Sequence, residues 1–200
     1  MIFEPVQQPA LTFLACAPLA ARCCTSLLVF LCLGVLPALI IKLGLKEDLA
    51  KYGITFGDRL QTARSLLIFT PFMVLSAYIG SQDTHVSNAY ALHGCNTSAS
   101  ALLLLLLLFC RILFCAGWEF FFRGFLQTKI AAWSTPVVGV LIQTGASTLA
   151  HLGDPPLEFL GAAAAGLLWG MLRLHTHSII SSWLQHSLLG FALDLFLLKT

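Results

Sequence analysis

Away from the ends of the apolar runs of this 200-residue chain, or on the polar face that one of them carries, stand Arg111, Glu119, Arg123, His151, His186 and Asp194. A charge near the centre of a bilayer costs at least ~2.5 kcal/mol, so each needs a reason to be there. Glu119 and Arg123 are four apart in Gly117-Trp118-Glu119-Phe120-Phe121-Phe122-Arg123-Gly124, which on a helix places them on one face where they can pair. Gly117 and Gly124 bracket that stretch at points where another backbone can approach closely. His151 ends a run in which Thr144, Ser147 and Thr148 recur at helical spacing, a polar face that must look into a bundle. Glu119 lies ~15 Å from Lys129 along its helix, His186 lies ~12 Å into the last apolar run, and a helix from Pro136 rises only ~22 Å by His151. Glu119, His151 and His186 are therefore expected at a common depth on three separate helices. A carboxylate with one or two imidazoles can activate water as a general base, stabilise an oxyanion, or hold a metal that does both. Amide hydrolysis is the natural reaction class. The plainer alternatives are a structural Glu119–Arg123 pair and histidines satisfied in a core. There is no Gly-x-Ser-x-Gly, no His-Glu-x-x-His and no pair of aspartates in neighbouring runs, so serine, zincin-type and aspartyl proteolysis have no residues to stand on. Arg111 and Asp194 are a candidate pair, and His175 and His177 read as solvated loop residues.

The elements that must position these groups follow from composition. The chain is 58% hydrophobic and 10% charged, against about a quarter charged in a soluble domain. Lipid is the expected solvent, and the fold class is all-α, a polytopic transmembrane bundle. Apolar runs near 24–42, 62–80, 100–131, 136–151, 157–173 and 178–198 predict six helices. Residues 10–21, broken by Pro18 and closed by Arg22, read as a short interfacial or re-entrant piece or as an extension of the first helix. The chain divides into N-terminal helices and loops over 1–99 and a helical core over 100–200, within one structural domain. Lys42, Lys46, Lys51, Arg59 and Arg64 follow the first run, while 81–99 contains no Lys or Arg, so the first loop is expected at the cytoplasmic face with Lys129 and Arg173. Lys199 then lies outside, as do both termini. Cys16, Cys23, Cys24, Cys32, Cys110 and Cys115 lie in apolar stretches and are expected as reduced thiols; Cys95 sits in a polar one. Met1 to Pro9 has no basic residue before the first apolar run, which speaks against a cleavable signal peptide. A net charge of +2 with scattered basic residues gives no sign of nucleic acid.

In motif order and spacing, residues 100–198 resemble the CPBP family, the CAAX-prenyl-endopeptidase and bacteriocin-processing membrane proteins. That family has Glu-Glu-x-x-x-Arg followed by Gly, then Phe-x-x-x-His, then His-x-x-x-Asn or Asp. Here Trp118-Glu119-x-x-x-Arg123-Gly124, Ser147-x-x-x-His151 and His186-x-x-x-Gly190 stand at those places. The resemblance implies a multi-pass endopeptidase of the cell membrane whose partners are the lipid bilayer and a membrane-associated peptide or protein substrate. In that reading Glu119 with His151 activates water, His186 stabilises the oxyanion and Arg123 holds Glu119 ionised. No cofactor is required; if a divalent metal such as zinc takes part, Glu119, His151 and His186 would hold it. Trp118 stands where the family has its first Glu, and Gly190 where it has Asn or Asp. Either Glu119 takes over the first carboxylate's role, or the chain keeps the scaffold as an inactive immunity or scaffold protein.

Overall fold

A computed structural model describes residues 16–92 and 101–198. Seven helices make up the described chain, which contains no strand. They are α1 (Ala17–Leu45), α2 (Arg59–Gln82), α3 (Thr84–Tyr90), α4 (Ala101–Trp133), α5 (Pro136–Leu149), α6 (Pro156–Thr176) and α7 (Ile180–Leu197). Each of the six expected apolar runs coincides with one of α1, α2, α4, α5, α6 and α7. Local chemistry sets the ends. Asp58, Asp83 and Thr135 accept from the first free backbone N–H groups of α2, α3 and α5, and prolines open α5 and α6.

By length and apolarity α1, α2, α4 and α6 are able to cross a bilayer. α5 has 14 residues, about 21 Å of rise, and α7 carries Gln185, His186 and Asp194 in its 18. These two are the helices whose polar side chains need shelter. α7 packs against α2 and α4, and α5 against α6 and the end of α4.

Many polar side chains lie inside the molecule and many large apolar ones outside. Glu119, Arg123, Gln127, Gln143, Ser181 and Gln185 are buried, whereas Leu28, Leu43, Leu67, Phe72, Leu105 and Phe109 are exposed along α1, α2 and α4. Water would penalise that arrangement and lipid favours it. This is a membrane protein.

Small residues let the helices close on one another. A Cβ on Gly117 of α4 would lie 2.7 Å from the carbonyl oxygen of Val29 in α1, and one on Gly124 would lie 2.7 Å from that of Tyr52. The close approach expected at both glycines is present.

Of the two readings of 10–21, the extension of the first helix holds where the piece is described: Pro18 sits in the first helical turn, where its missing N–H costs nothing, so it opens the helix rather than breaking one. Arg22 turns inward to Asp194. Residues 10–15 lie outside the described part, as do the segment 1–9, His93, Cys95 and Lys199. One expectation changes. Cys16, the residue that caps the start of α1, is disulfide-bonded, not the reduced thiol expected. Cys23, Cys24, Cys32, Cys110 and Cys115 are free.

The loop after α1 docks on the ends of α4 and α6. Lys129 reaches Glu47 at 3.0 Å, Arg173 donates to the Lys51 carbonyl at 2.9 Å and Ser178 to that of Thr55 at 2.5 Å. These basic residues therefore share one side, as the charge pattern predicted. His175 and His177 are exposed there.

Candidate active site

Glu119 and Arg123 lie where α4 loosens into a π-helical turn, Phe120–Leu126. Such turns are rare and recur at functional sites. Arg123 Nη1 donates to Glu119 Oε1 at 3.2 Å, so the pair expected from the four-residue spacing forms, with both side chains almost fully buried. The same carboxylate oxygen accepts from His186 Nδ1 at 2.8 Å, across from α7. Glu119 Oε2 is buried without a hydrogen-bond partner.

An aromatic wall surrounds this triad. The Trp169 ring of α6 stacks on His186 at 4.7 Å and receives the Arg123 guanidinium on its face at 5.4 Å. Its indole N–H donates to Gln185. The free, buried thiol of Cys115, one turn before Glu119, borders the same imidazole. With Nδ1–H given to Glu119, a neutral His186 keeps its lone pair on Nε2.

His151 is reached from the other side of α4. Its ring meets that of Trp118 edge-on at 5.2 Å, and Trp118 stacks in turn on Phe114 and meets Phe122 at a tilt. Nδ1 donates to the Ser147 carbonyl at 2.8 Å, so the backbone sets its tautomer as Glu119 sets that of His186. Among the described residues the hydrogen bonds of Glu119 run to Arg123 and His186, and that of His151 to Ser147; the two sequence-expected partners are not bonded to each other.

Arg111 and Asp194 meet through two hydrogen bonds, 2.8 and 2.9 Å, and Arg22 adds a third contact at 2.6 Å. The Arg111 side chain fills the room that Gly190 leaves, since a Cβ there would lie 2.9 Å from Arg111 Cδ. The buried charges of this cluster are thus paired, which membrane burial demands.

The proposed metal donors do not suit one ion. Glu119 Oε1 and His186 Nδ1 are bonded to each other, so a shared ion would have to separate them. The donors that do converge among the described residues are His151, Asp154 and Glu158, within 4.8 Å of one another. The sequence did not mark Asp154 and Glu158 as site residues, because the non-helical turn between Leu149 and Pro156, not helical spacing, brings them to His151.

The comparisons bear on the same half of the chain. The family model described as type II CAAX prenyl endopeptidase Rce1-like matches residues 97–192, which span Glu119, His151 and His186. Over these residues the chain is similar to the Rce1-like family. No curated protein and no solved structure matches the chain. The Rce1-like segment runs from the start of α4 to within α7, so it holds both the Glu119–Arg123–His186 triad and the His151 cluster, while α1 and α2 pack around it.

Proposed function

We propose that the protein is a multi-pass intramembrane endopeptidase of the cell membrane that hydrolyses a peptide bond in a membrane-associated peptide or protein. One observation carries the reading: a buried carboxylate, paired with Arg123, orients the imidazole of His186 inside an Rce1-like helical core. Glu119 and Arg123 act as positioning residues. They orient His186 through Nδ1, and in protonated form that imidazole, bordered by Cys115, donates to the oxyanion formed on the substrate carbonyl. His151, its Nδ1 committed to Ser147, offers Nε2 to hold and polarise the attacking water. No step runs through a metal. The farnesylated CAAX-type peptide is the substrate class that the Rce1-like match suggests.

The test is cleavage of a fluorogenic farnesylated CAAX peptide by the full chain in liposomes. His151→Ala and His186→Ala should each lower kcat by about 10²–10⁴-fold with membrane levels unchanged. Glu119→Gln should fall with His186→Ala, and the double variant should lose no more than either alone, because the two act as one unit. Wild-type rates in the histidine variants would overturn the assignment. A wild-type protein that leaves this peptide and other membrane-anchored peptides intact would return the chain to the scaffold class.

A further inference from the structure

Trp118 leaves His151 without the acidic neighbour that the family motif puts at that place, yet His151 is not without carboxylates. The turn after α5 brings Asp154 beside it, and the first turn of α6 brings Glu158. A ring nitrogen of His151 and one oxygen from each acid lie within 4.8 Å of one another. Glu158 is not a loose surface group: its Oε1 accepts from the Tyr90 hydroxyl of α3, and its Oε2 is buried with no hydrogen-bond partner. A buried carboxylate oxygen with an unused lone pair is costly unless something polar meets it. Asp154 is exposed, so the cluster opens to water on that side. Across the ring of His151, the cluster of Trp118, Phe114 and Phe122 closes the apolar side.

We propose that Glu158 is the water-activating carboxylate of this protein, working with His151 from α6 in place of the acid that Trp118 displaces from α4. The inference rests on the endopeptidase reading above. Glu158 Oε2 removes a proton from a water molecule hydrogen-bonded to His151, and the water oxygen forms a bond to the scissile carbonyl carbon. The carbonyl π pair moves onto oxygen. When that pair returns, the C–N bond breaks and the proton held by Glu158 passes to the leaving amine, so the carboxylate is regenerated. Tyr90 fixes the carboxylate through Oε1 and leaves Oε2 for this transfer.

The experiment uses the same liposome assay. Glu158→Gln should lower cleavage at least about 100-fold at unchanged membrane level. Trp118→Glu in the Glu158→Gln background should recover at least tenfold, because it returns an acid to the other flank of His151. Glu158→Gly supplied with formate provides a second arm, with a cleavage rate that rises with formate while the wild type does not respond. Wild-type cleavage by Glu158→Gln overturns the role of Glu158 and leaves the protease reading intact. A stable Glu158→Gln protein that loses activity, and regains it neither with Trp118→Glu nor, as Glu158→Gly, with formate, overturns it as well and marks Glu158 as structural. Absence of cleavage by the wild type overturns both readings together.

Discussion

At the scale of single residues, the interior holds few charges and each has a counter-charge or hydrogen bond. Glu119 is served by Arg123 and His186, and Asp194 by Arg22 and Arg111. Removing one member of a buried pair strands the other, which typically costs about 3–5 kcal/mol. Arg123→Met should therefore lower the unfolding midpoint in detergent far more than Arg123→Lys does, a difference readable by thermal unfolding followed by tryptophan fluorescence. Equal midpoints for the two variants would show that the Arg123 charge contributes nothing to stability. The Glu119–Arg123 pairing was legible from a four-residue spacing, because a helix fixes neighbours of that kind locally. The bond from Glu119 to His186 was not, since the two are 67 residues apart and only the packing of α7 on α4 brings them together.

At the scale of elements, glycines set how near the helices come. α1 crosses α4 at Gly34 and Gly117, where a Cβ on Gly34 would lie 3.3 Å from Gly117 Cα. Gly117→Leu should destabilise the fold by about 1–3 kcal/mol through overpacking, whereas Gly44→Ala, with nothing within 4 Å of the added Cβ, should not. Thermal unfolding of the two variants checks the contrast. The loop after α1 is a separate device, clasped through Glu47, which accepts from both Tyr52 and Lys129. Those two hydrogen bonds, Tyr52 first, hold the Glu47 carboxyl below its ordinary range. A depressed carboxylate contributes stability above its unfolded pKa, about 4.3, and loses it as pH falls through the lower folded value. Hydrogen exchange over residues 49–57 should accordingly speed up as pH drops below about 4, after correction for the intrinsic rate. Glu47→Gln should show the faster exchange already at neutral pH, and a variant that matches wild type there would sever Glu47 from loop docking.

At the scale of the whole molecule, the exposed leucines and phenylalanines of α1, α2 and α4 define a lipid-facing surface. Leu67, 79% exposed in α2, belongs to it. Leu67→Arg should cost up to about 2.5–3.5 kcal/mol of insertion free energy on translocon scales, seen as a reduced inserted fraction in a glycosylation-mapping assay. Unchanged insertion would move that face of α2 out of the hydrocarbon. The sequence by itself determined the solvent, the helix positions and the local Glu119–Arg123 pair, because apolarity and helical period act over one or two turns. It also marked the shared side of the basic loop and helix ends, which alternation along the chain requires. Tertiary structure decided which distant groups meet. Asp194 joins Arg22 across 172 residues, Arg111 occupies the room at Gly190, and Asp154 and Glu158 gather at His151. Those meetings depend on helix rotation and on glycine crossings, to which every neighbouring side chain contributes, so no single stretch of sequence encodes them.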